Sequence, residues 1–311
     1  MSLAVFVLRR LLWAVPIVLL VMLVTFALMR GAGGTPFRPP EGVMGLPAPL
    51  QEELSDFYHL DEPWPVEFAV YVRNVATLQF GPSLVDRRRS VDDVVEQGFP
   101  ITGELALLAL AWALPLGLLL GLYAAVRRGS VLDHLATSVS SVLLVVPVFF
   151  VTFVLSQYLV LRWGLFPAGW DGWQTKVLPA FALGLAPAGY TARLVRAAAV
   201  ETLGADYVRT ALAKGLRFRR IVGTHVLRNS LVPLLSAAPP MIALLVTGAL
   251  FVEEAFGIPG VSSSFLLAAR SRDYPMILGL TVALTVVVIA LNLLADVVMA
   301  LLDPRLLEEE R

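Results

Sequence analysis

A chain of 311 residues with 58% hydrophobic and only 15% charged side chains departs in both directions from a soluble domain, which averages about 45–50% apolar and about 25% charged. Its mean hydropathy of +0.78 points to several passes through a membrane. Equal totals of 24 basic and 24 acidic residues conceal an uneven distribution, so net charge says nothing of partners; the absence of Cys excludes disulfides, thiolate metal sites and Cys nucleophiles.

A helix needs about 20 apolar residues to cross a hydrocarbon core. The first such run is Leu11–Met29, preceded by Arg9 and Arg10. It resembles a signal peptide, but its core is too long for an h-region and no small-x-small cleavage site follows. It therefore reads as an anchor, within residues 1–30. Residues 31–103 form an external segment that opens irregularly as GAGGTPFRPPEGVMGLPAPL. Two short helices are expected after it, Leu50–Leu60 and Val66–Leu78, with Phe57, Tyr58, Leu60, Trp64 and Phe68 placed to pack them on the membrane surface or a neighbour. The first half of the segment is acidic, with Glu41, Glu52, Glu53, Asp56, Asp61, Glu62 and Glu67.

Residues 104–302 carry the remaining spans: Glu104–Val126, Leu135–Leu161, Val177–Val195, Leu231–Val252 and Pro275–Leu302. Pro179, Gly184, Pro187 and Gly189 interrupt Val177–Val195, which neighbouring helices would have to tolerate. Residues 303–311 are a tail. The fold class that follows is an all-α polytopic membrane protein with about six transmembrane helices. Arg9 and Arg10, then Arg127 and Arg128, then the loop of residues 196–230 fall on one side; Arg162, Lys176, Arg270 and Arg272 fall on the other. The positive-inside rule puts the first set, and both termini, in the cytoplasm. Arg87, Arg88 and Arg89 lie in an outer loop long enough to escape that rule.

The loop between the fourth and fifth spans is unusual in having helix signals of its own. Asp206 reads as an N-cap, Gly215 as the residue just past a helix end, and Lys214 as a cation in the last turn. About nine residues of helix are marginal in water, so something must hold them. Tyr207, Thr210, Ala211 and Lys214 share one face, and small Thr210 and Ala211 suit close entry into a groove. Arg209, Arg217, Arg219, Arg220 and Arg228 add positive charge. On residues alone this is either a contact for a cytoplasmic partner or an anchor on anionic lipid headgroups.

The run ADYVRTALAKGL…RRIV…HVLRNSLVP resembles the cytoplasmic loop of ATP-binding cassette importer permeases of the dipeptide/oligopeptide/nickel branch. Other stretches resemble the same family in order: RRLL at 9–12, HLDEPWPVEF at 59–68, FGPS at 80–83, PITGEL at 100–105, AAVRRGSVLDH at 124–134, VEEAFGIPGV at 252–261, RDYP at 272–275 and LLDPR at 301–305. The chain departs from the generic pattern where Arg209, Thr210 and Ala211 replace Glu-Ala-Ala, and where Gly33–Pro36 replaces Pro-Gly-Asp-Pro. The resemblance implies half of a translocation pathway for dipeptides or oligopeptides, with nickel chelates or oligosaccharides as other cargo of related chains. It implies a second related permease, two ATPase subunits that hold ATP and Mg, and an external solute-binding protein. The loop helix, carried by Asp206, Tyr207, Arg209, Thr210, Ala211, Lys214, Gly215 and Arg217, would dock in a cleft of one ATPase. No cofactor belongs to this chain itself on that reading.

Two further groups carry polar chemistry. Glu253 and Glu254, followed by Phe256 and the turn through Pro259 and Gly260, either form an external gate that guides a cationic group or simply turn the chain. Asn292 and Asp296 lie one turn apart in the last span, where ionisable groups are expensive. They form a solute site, or Asp296 pairs with a basic residue near the inner end. Gln157, Tyr158 and Tyr190 are further candidates for a pathway lining. An enzymatic reading finds no support: His59, His134 and His225 are scattered, HExxH, GxSxG and Walker signatures are missing, and Ser262, Ser263 and Ser264 have no evident base. The basic loop is tethered between spans, which favours lipid or a protein partner over nucleic acid. A passive channel or scaffold is the competing class; it would need no ATPase partner.

Overall fold

The computed structural model describes residues 3–31, 62–77, 79–85 and 89–302, with isolated positions between 49 and 59. The expected helix Leu50–Leu60, Gly33–Pro36 and the tail 303–311 lie largely or wholly outside the described residues. Among the described residues the secondary structure is helical, with one isolated antiparallel bridge between Pro82 and Ser90. Contacts divide the chain into two compact units, residues 1–102 with 259–311, and residues 103–258.

In the first unit, α1 (Leu3–Gly31) packs along α12 (Tyr274–Leu302). One end of that pair carries Arg10 against Asp296 at 3.2 Å. The other end carries the outer segment, whose helix α2 (Trp64–Ala76) matches the expected Val66–Leu78. Phe68 of α2 packs on Phe26 of α1 with ring centroids 5.4 Å apart, Glu67 pairs with Arg30, and the Tyr71 hydroxyl donates to the Leu278 carbonyl at 3.1 Å. These contacts hold a short helix that its own length could not: it seats on the ends of α1 and α12.

The helix expected from Glu104 begins earlier, as α3 (Val91–Val126). Ser90 and Asp93 form a capping box at its start. The Ser90 hydroxyl oxygen accepts from the Asp93 N–H at 3.1 Å, and an Asp93 carboxylate oxygen accepts from the Ser90 N–H at 2.8 Å. Val91 and Val94 of α3 join Val261 and Ala268 of α11 (Val261–Ser271) and Met276 and Leu280 of α12 in a buried cluster. Buried Asp273, just before α12, accepts from the Ser83 hydroxyl and from the Leu84 N–H at 3.2 Å. That clasp ties FGPS to RDYP, two stretches far apart in sequence.

The second unit is organised on α6 (Trp173–Gly204), a single helix of 32 residues. Its Pro and Gly residues were expected to interrupt it, and they do not. Gly184 instead admits the Trp112 ring: a Cβ there would lie 2.6 Å from three of its atoms, while the indole N–H donates to the Ala180 carbonyl at 2.9 Å. Gly189 lies against the backbone of α4 (Val131–Val145), where a Cβ would come within 2.5 Å of the Ser140 carbonyl oxygen. The two glycines are thus sites of close approach, as small residues are in membrane bundles.

Two other spans break where continuity was expected. Leu135–Leu161 is α4 followed by α5 (Val148–Leu155), which ends in the π-helical stretch Ser156–Arg162; the two parts are bent by 89°. Pro147 sets the bend, because it cannot continue the preceding helix and forces Val146 into an extended conformation (φ −66°, ψ 121°). Leu231–Val252 is divided at Ala237 between α9 (Leu227–Ser236) and α10 (Ala238–Phe256). Among the described residues α1, α3 and α12 are long and apolar enough to cross a membrane, and two bent pairs, α4 with α5 and the end of α10 with Val261–Ser271, raise the number to as many as five. The sixth expected span lies in α6, whose middle is buried among α4, α5, α9 and α10 and so needs less apolar surface than a helix facing lipid.

Candidate functional site

Two short helices, α7 (Asp206–Ala213) and α8 (Phe218–Ile221), and the π-helical turn Val222–Val226 join α6 to α9. The cap of α7 is Ala205, in extended conformation (φ −71°, ψ 147°). Asp206, expected at the cap, is instead the first helical residue. Its carboxylate still complements the positive end of the helix dipole and lies 3.5 Å from Arg209. The other end is as expected. Gly215 adopts φ +81°, a conformation that disfavours side chains with a Cβ. Its N–H donates to the Leu212 carbonyl at 2.9 Å and the Leu216 N–H to the Ala211 carbonyl at 3.1 Å, the paired bonds of a Schellman ending.

The inner face of α7 is Val208 and Ala211, 1% and 9% exposed. They join Ala125 at the end of α3, Ala199 near the end of α6, and Ile221 and Val226 of the returning chain in one buried cluster, covered by Leu122, Val200, Leu203 and Leu216. The expectation that Ala211 enters a partner's groove is therefore corrected: its small size fits the helix to its own chain. Tyr207, Arg209, Thr210, Lys214, Gly215 and Arg217 are exposed with Asp206. So are Leu212 (45%) and Phe218 (43%), which the sequence reading did not single out. The outward surface is thus mixed: basic and polar, with the large apolar side chains of Leu212 and Phe218 and the ring of Tyr207 on it. An isolated helix of eight residues is unstable in water; here its inner cluster supplies what its length cannot.

Another site was missed. Arg196 of α6 makes a two-pronged ion pair with Asp133 of α4, Nε to Oδ1 at 2.7 Å and Nη2 to Oδ2 at 2.8 Å. The Gly129 N–H adds a third bond to Asp133 at 2.9 Å. Ser130 caps α4 by accepting from the Asp133 N–H at 3.2 Å. The signal was present as Ser130-x-x-Asp133, a helix-start pattern, but nothing local names Arg196 as its partner. A polar groove of about 390 Å³ opens beside the pair, lined by His134, Thr137, Ser138 and Ser141.

The outer turn behaves differently for its two glutamates. Glu253 is fully buried, which corrects the expectation that it faces an incoming solute; Glu254 is exposed. Buried Phe256 accepts through its carbonyl from the Gly169 N–H at 3.0 Å, and the Ala255 carbonyl accepts from the Ser156 hydroxyl at 2.7 Å. Gly257 turns the chain at φ +67°. In the first unit, exposed Pro259 precedes buried Gly260, whose carbonyl accepts from the Ser263 and Ser264 hydroxyls at 2.9 and 3.2 Å.

Asn292 and Asp296 have different surroundings. Asp296 pairs with Arg10, the structural alternative of the two readings. The Asn292 Oδ1 is buried and accepts no hydrogen bond. Gln157 and Tyr158 are exposed on the π-helical end of α5, and Tyr190 is half-buried on α6.

Comparison with known proteins bears on this arrangement. Residues 117–308 match the family described as the binding-protein-dependent transport system inner membrane component. The chain is 38% identical over 296 residues to the dipeptide transport system permease protein DppB of Bacillus subtilis, covering 94% of this chain and 95% of that one. It is 34% identical over 305 residues to the oligopeptide transport system permease protein OppB of Escherichia coli K12, covering 97% and 98%. Among solved structures, a chain of the MetNI methionine ABC transporter in inward-facing conformations aligns with a TM-score of 0.52 and 18% identity, covering 67% of this chain and 94% of that one. At that identity the likeness speaks for the helical fold.

Proposed function

This chain belongs to the inner membrane components of binding-protein-dependent transport systems, and from that premise we propose that it forms half of an ATP-driven import pathway for dipeptides or oligopeptides. Its multi-pass helical fold and inner-membrane family define the coarse role. The finer role is our reading. A second related permease completes the pathway, an external binding protein delivers solute, and two ATPase subunits bind ATP with Mg. This chain does no chemistry of its own. Both termini and α7 lie on the cytoplasmic side, in keeping with the basic residues around them.

The observation that carries the proposal is the two-faced character of α7. Its inner face is fused to the ends of α3 and α6 through Val208 and Ala211. Its outer face presents Tyr207, Arg209, Thr210 and Lys214 to whatever lies beneath. A push on that face has no slack to take up before it reaches the spans, because a packed interior transmits displacement rather than absorbing it. Small shifts at such an interface can switch a packed bundle between two discrete arrangements. Peptides are the cargo because the relatives of nearly full length carry dipeptide and oligopeptide names.

The test uses the assembled importer with Thr210→Cys, an exposed site on the outer face. A short bifunctional thiol reagent is expected to join it to an ATPase subunit. Capture of lipid alone, with the ATPase subunits present and active, overturns the assignment. Binding of dipeptides and longer peptides to the cognate external receptor checks the cargo.

A further inference from the structure

The returning chain meets α7 in two ways. One is apolar, Ile221 and Val226 against Val208 and Ala211. Apolar contact is non-directional, so it fixes how deep α7 sits without pinning any one atom to another. The other is a directed bond: Asn229 Nδ2 on α9 donates to the Tyr207 hydroxyl oxygen at 2.7 Å. The His225 ring stands edge-on to Tyr207, with centroids 6.2 Å apart.

Between α8 and α9 the chain passes through the π-helical turn Val222–Val226. Such turns are rare and concentrate at functional sites. This one contains Gly223, which has backbone freedom and open space around it. It is the one π-helical stretch on the path of the described chain from α7 to α9. The Asn229–Tyr207 bond bridges it.

We propose that Asn229 is a positioning residue that clamps α9 to α7 through the Tyr207 hydroxyl, so that movement of α7 reaches α9 and α10 instead of being absorbed in the π turn. The inference rests on the reading of α7 as the ATPase contact. Tyr207 is 47% exposed and Asn229 is also exposed, so water competes for the bond in the isolated chain. A subunit seated over α7 excludes that water, and a hydrogen bond in a drier environment is stronger. The clamp therefore tightens on docking. Because the tyrosine oxygen accepts from Asn229, its own proton remains to be donated to the seated subunit.

The experiment reconstitutes the full importer with its binding protein in lipid vesicles and measures both peptide imported and ATP hydrolysed. With Asn229→Leu, peptide imported per ATP is expected to fall by about two- to tenfold, the span of one net intramolecular hydrogen bond, while the subunits still co-purify. Tyr207→Phe, which keeps the ring but also loses the proton offered to the seated subunit, should fall at least as far, and adding Asn229→Leu to it should lower the ratio no further. Asn229→Gln keeps an amide donor and should recover part of the loss. An unchanged ratio in Asn229→Leu, losses that add in the double variant, or a drop in assembly with the ratio intact each overturn the clamp. If the Thr210→Cys complex with Asn229 and Tyr207 intact shows no cross-link from α7 to an ATPase, it is the functional reading that fails. If the cross-link forms and Asn229→Leu couples normally, the clamp alone fails.

Discussion

Replacing Gly121 with Ala should loosen the helix on which the second unit is built. Gly117 and Gly121 sit four residues apart on α3, and both face α6 at backbone distance. A Cβ on Gly121 would lie 2.6 Å from the Ala192 carbonyl oxygen and 2.9 Å from the Val195 Cβ. That is roughly 1 Å inside the ~3.5 Å at which non-bonded heavy atoms rest. The obstacle is the backbone of another helix, so no rotamer change can relieve it and the helices must part. Overpacking of this kind costs about 1–3 kcal/mol. Alanine also favours a helix over glycine by about 1 kcal/mol, which leaves a net loss near ~1 kcal/mol. Gly103, also on α3 with nothing within 4 Å of its Cβ position, is the control; there only the gain applies. The two variants should differ by about 2 kcal/mol, or roughly 4–8 °C at about 2–4 °C per kcal/mol. The assay heats each protein in detergent and follows the intact fraction by size exclusion. If Gly121→Ala survives as well as Gly103→Ala, the close approach of α3 and α6 is wrong.

Asp133→Asn keeps the shape of the Arg196 partner but removes its charge. Breaking a buried pair costs about 3–5 kcal/mol, reduced here to about 1–3 kcal/mol because Arg196 is 31% exposed and partly solvated; the same heating assay reads the loss, and Asp133→Leu with Arg196→Met should recover part of it. Asp273 gives a pH dependence. Burial pushes its carboxyl above the usual range, against the bonds from Ser83, Leu84 and Met276 that favour the anion. The folded state then holds the proton more tightly than the unfolded state, so stability rises as pH falls through the raised value and levels off below the ordinary value of about 3.9. Asp273→Asn should flatten that profile, measured by thermal unfolding between pH 8 and pH 4, and an unchanged slope would remove Asp273 as its source.

Much of the fold was legible because membrane helices announce themselves by length and apolarity. The ending of α7 at Gly215 was legible for a local reason: a glycine after an amphipathic run supplies the left-handed residue that a Schellman ending needs. What failed was mostly non-local. Pro179, Gly184, Pro187 and Gly189 look like breakers in sequence, but packing across α4, α5, α9 and α10 keeps α6 whole. Pro147 bends its helix at Val146, which it holds in an extended conformation. Gly117 and Gly121 form a small-xxx-small pattern that names a packing face in advance, yet not which helix it meets. Ala211 shows the limit most plainly. Its small side chain was read as fitting a partner, and smallness alone cannot say whether the close neighbour is another chain or one's own.

The position of Ala211 changes what a substitution there would mean. A bulky residue at 211 would press on Ala125, Ala199, Ile221 or Val226, so loss of transport would follow from internal damage whether or not α7 meets an ATPase. Thr210, Lys214 and Tyr207 are the positions that can separate the two, because they are exposed. On the proposed function, the same burial is what lets an eight-residue helix act as a lever. It is held by the ends of α3 and α6, and α6 is in turn fastened to α3 at Gly117 and Gly121, to α4 at Gly189 and Arg196, and to α10 where Gly248 meets Leu183. Force applied to α7 is thus applied to α6. With contacts this close on three sides, α6 can move only with its neighbours or by breaking contact with one of them. The mechanical question for this unit is therefore which of the three contacts gives way, and the ion pair at Arg196 is the one whose geometry can be re-formed without repacking a helix face.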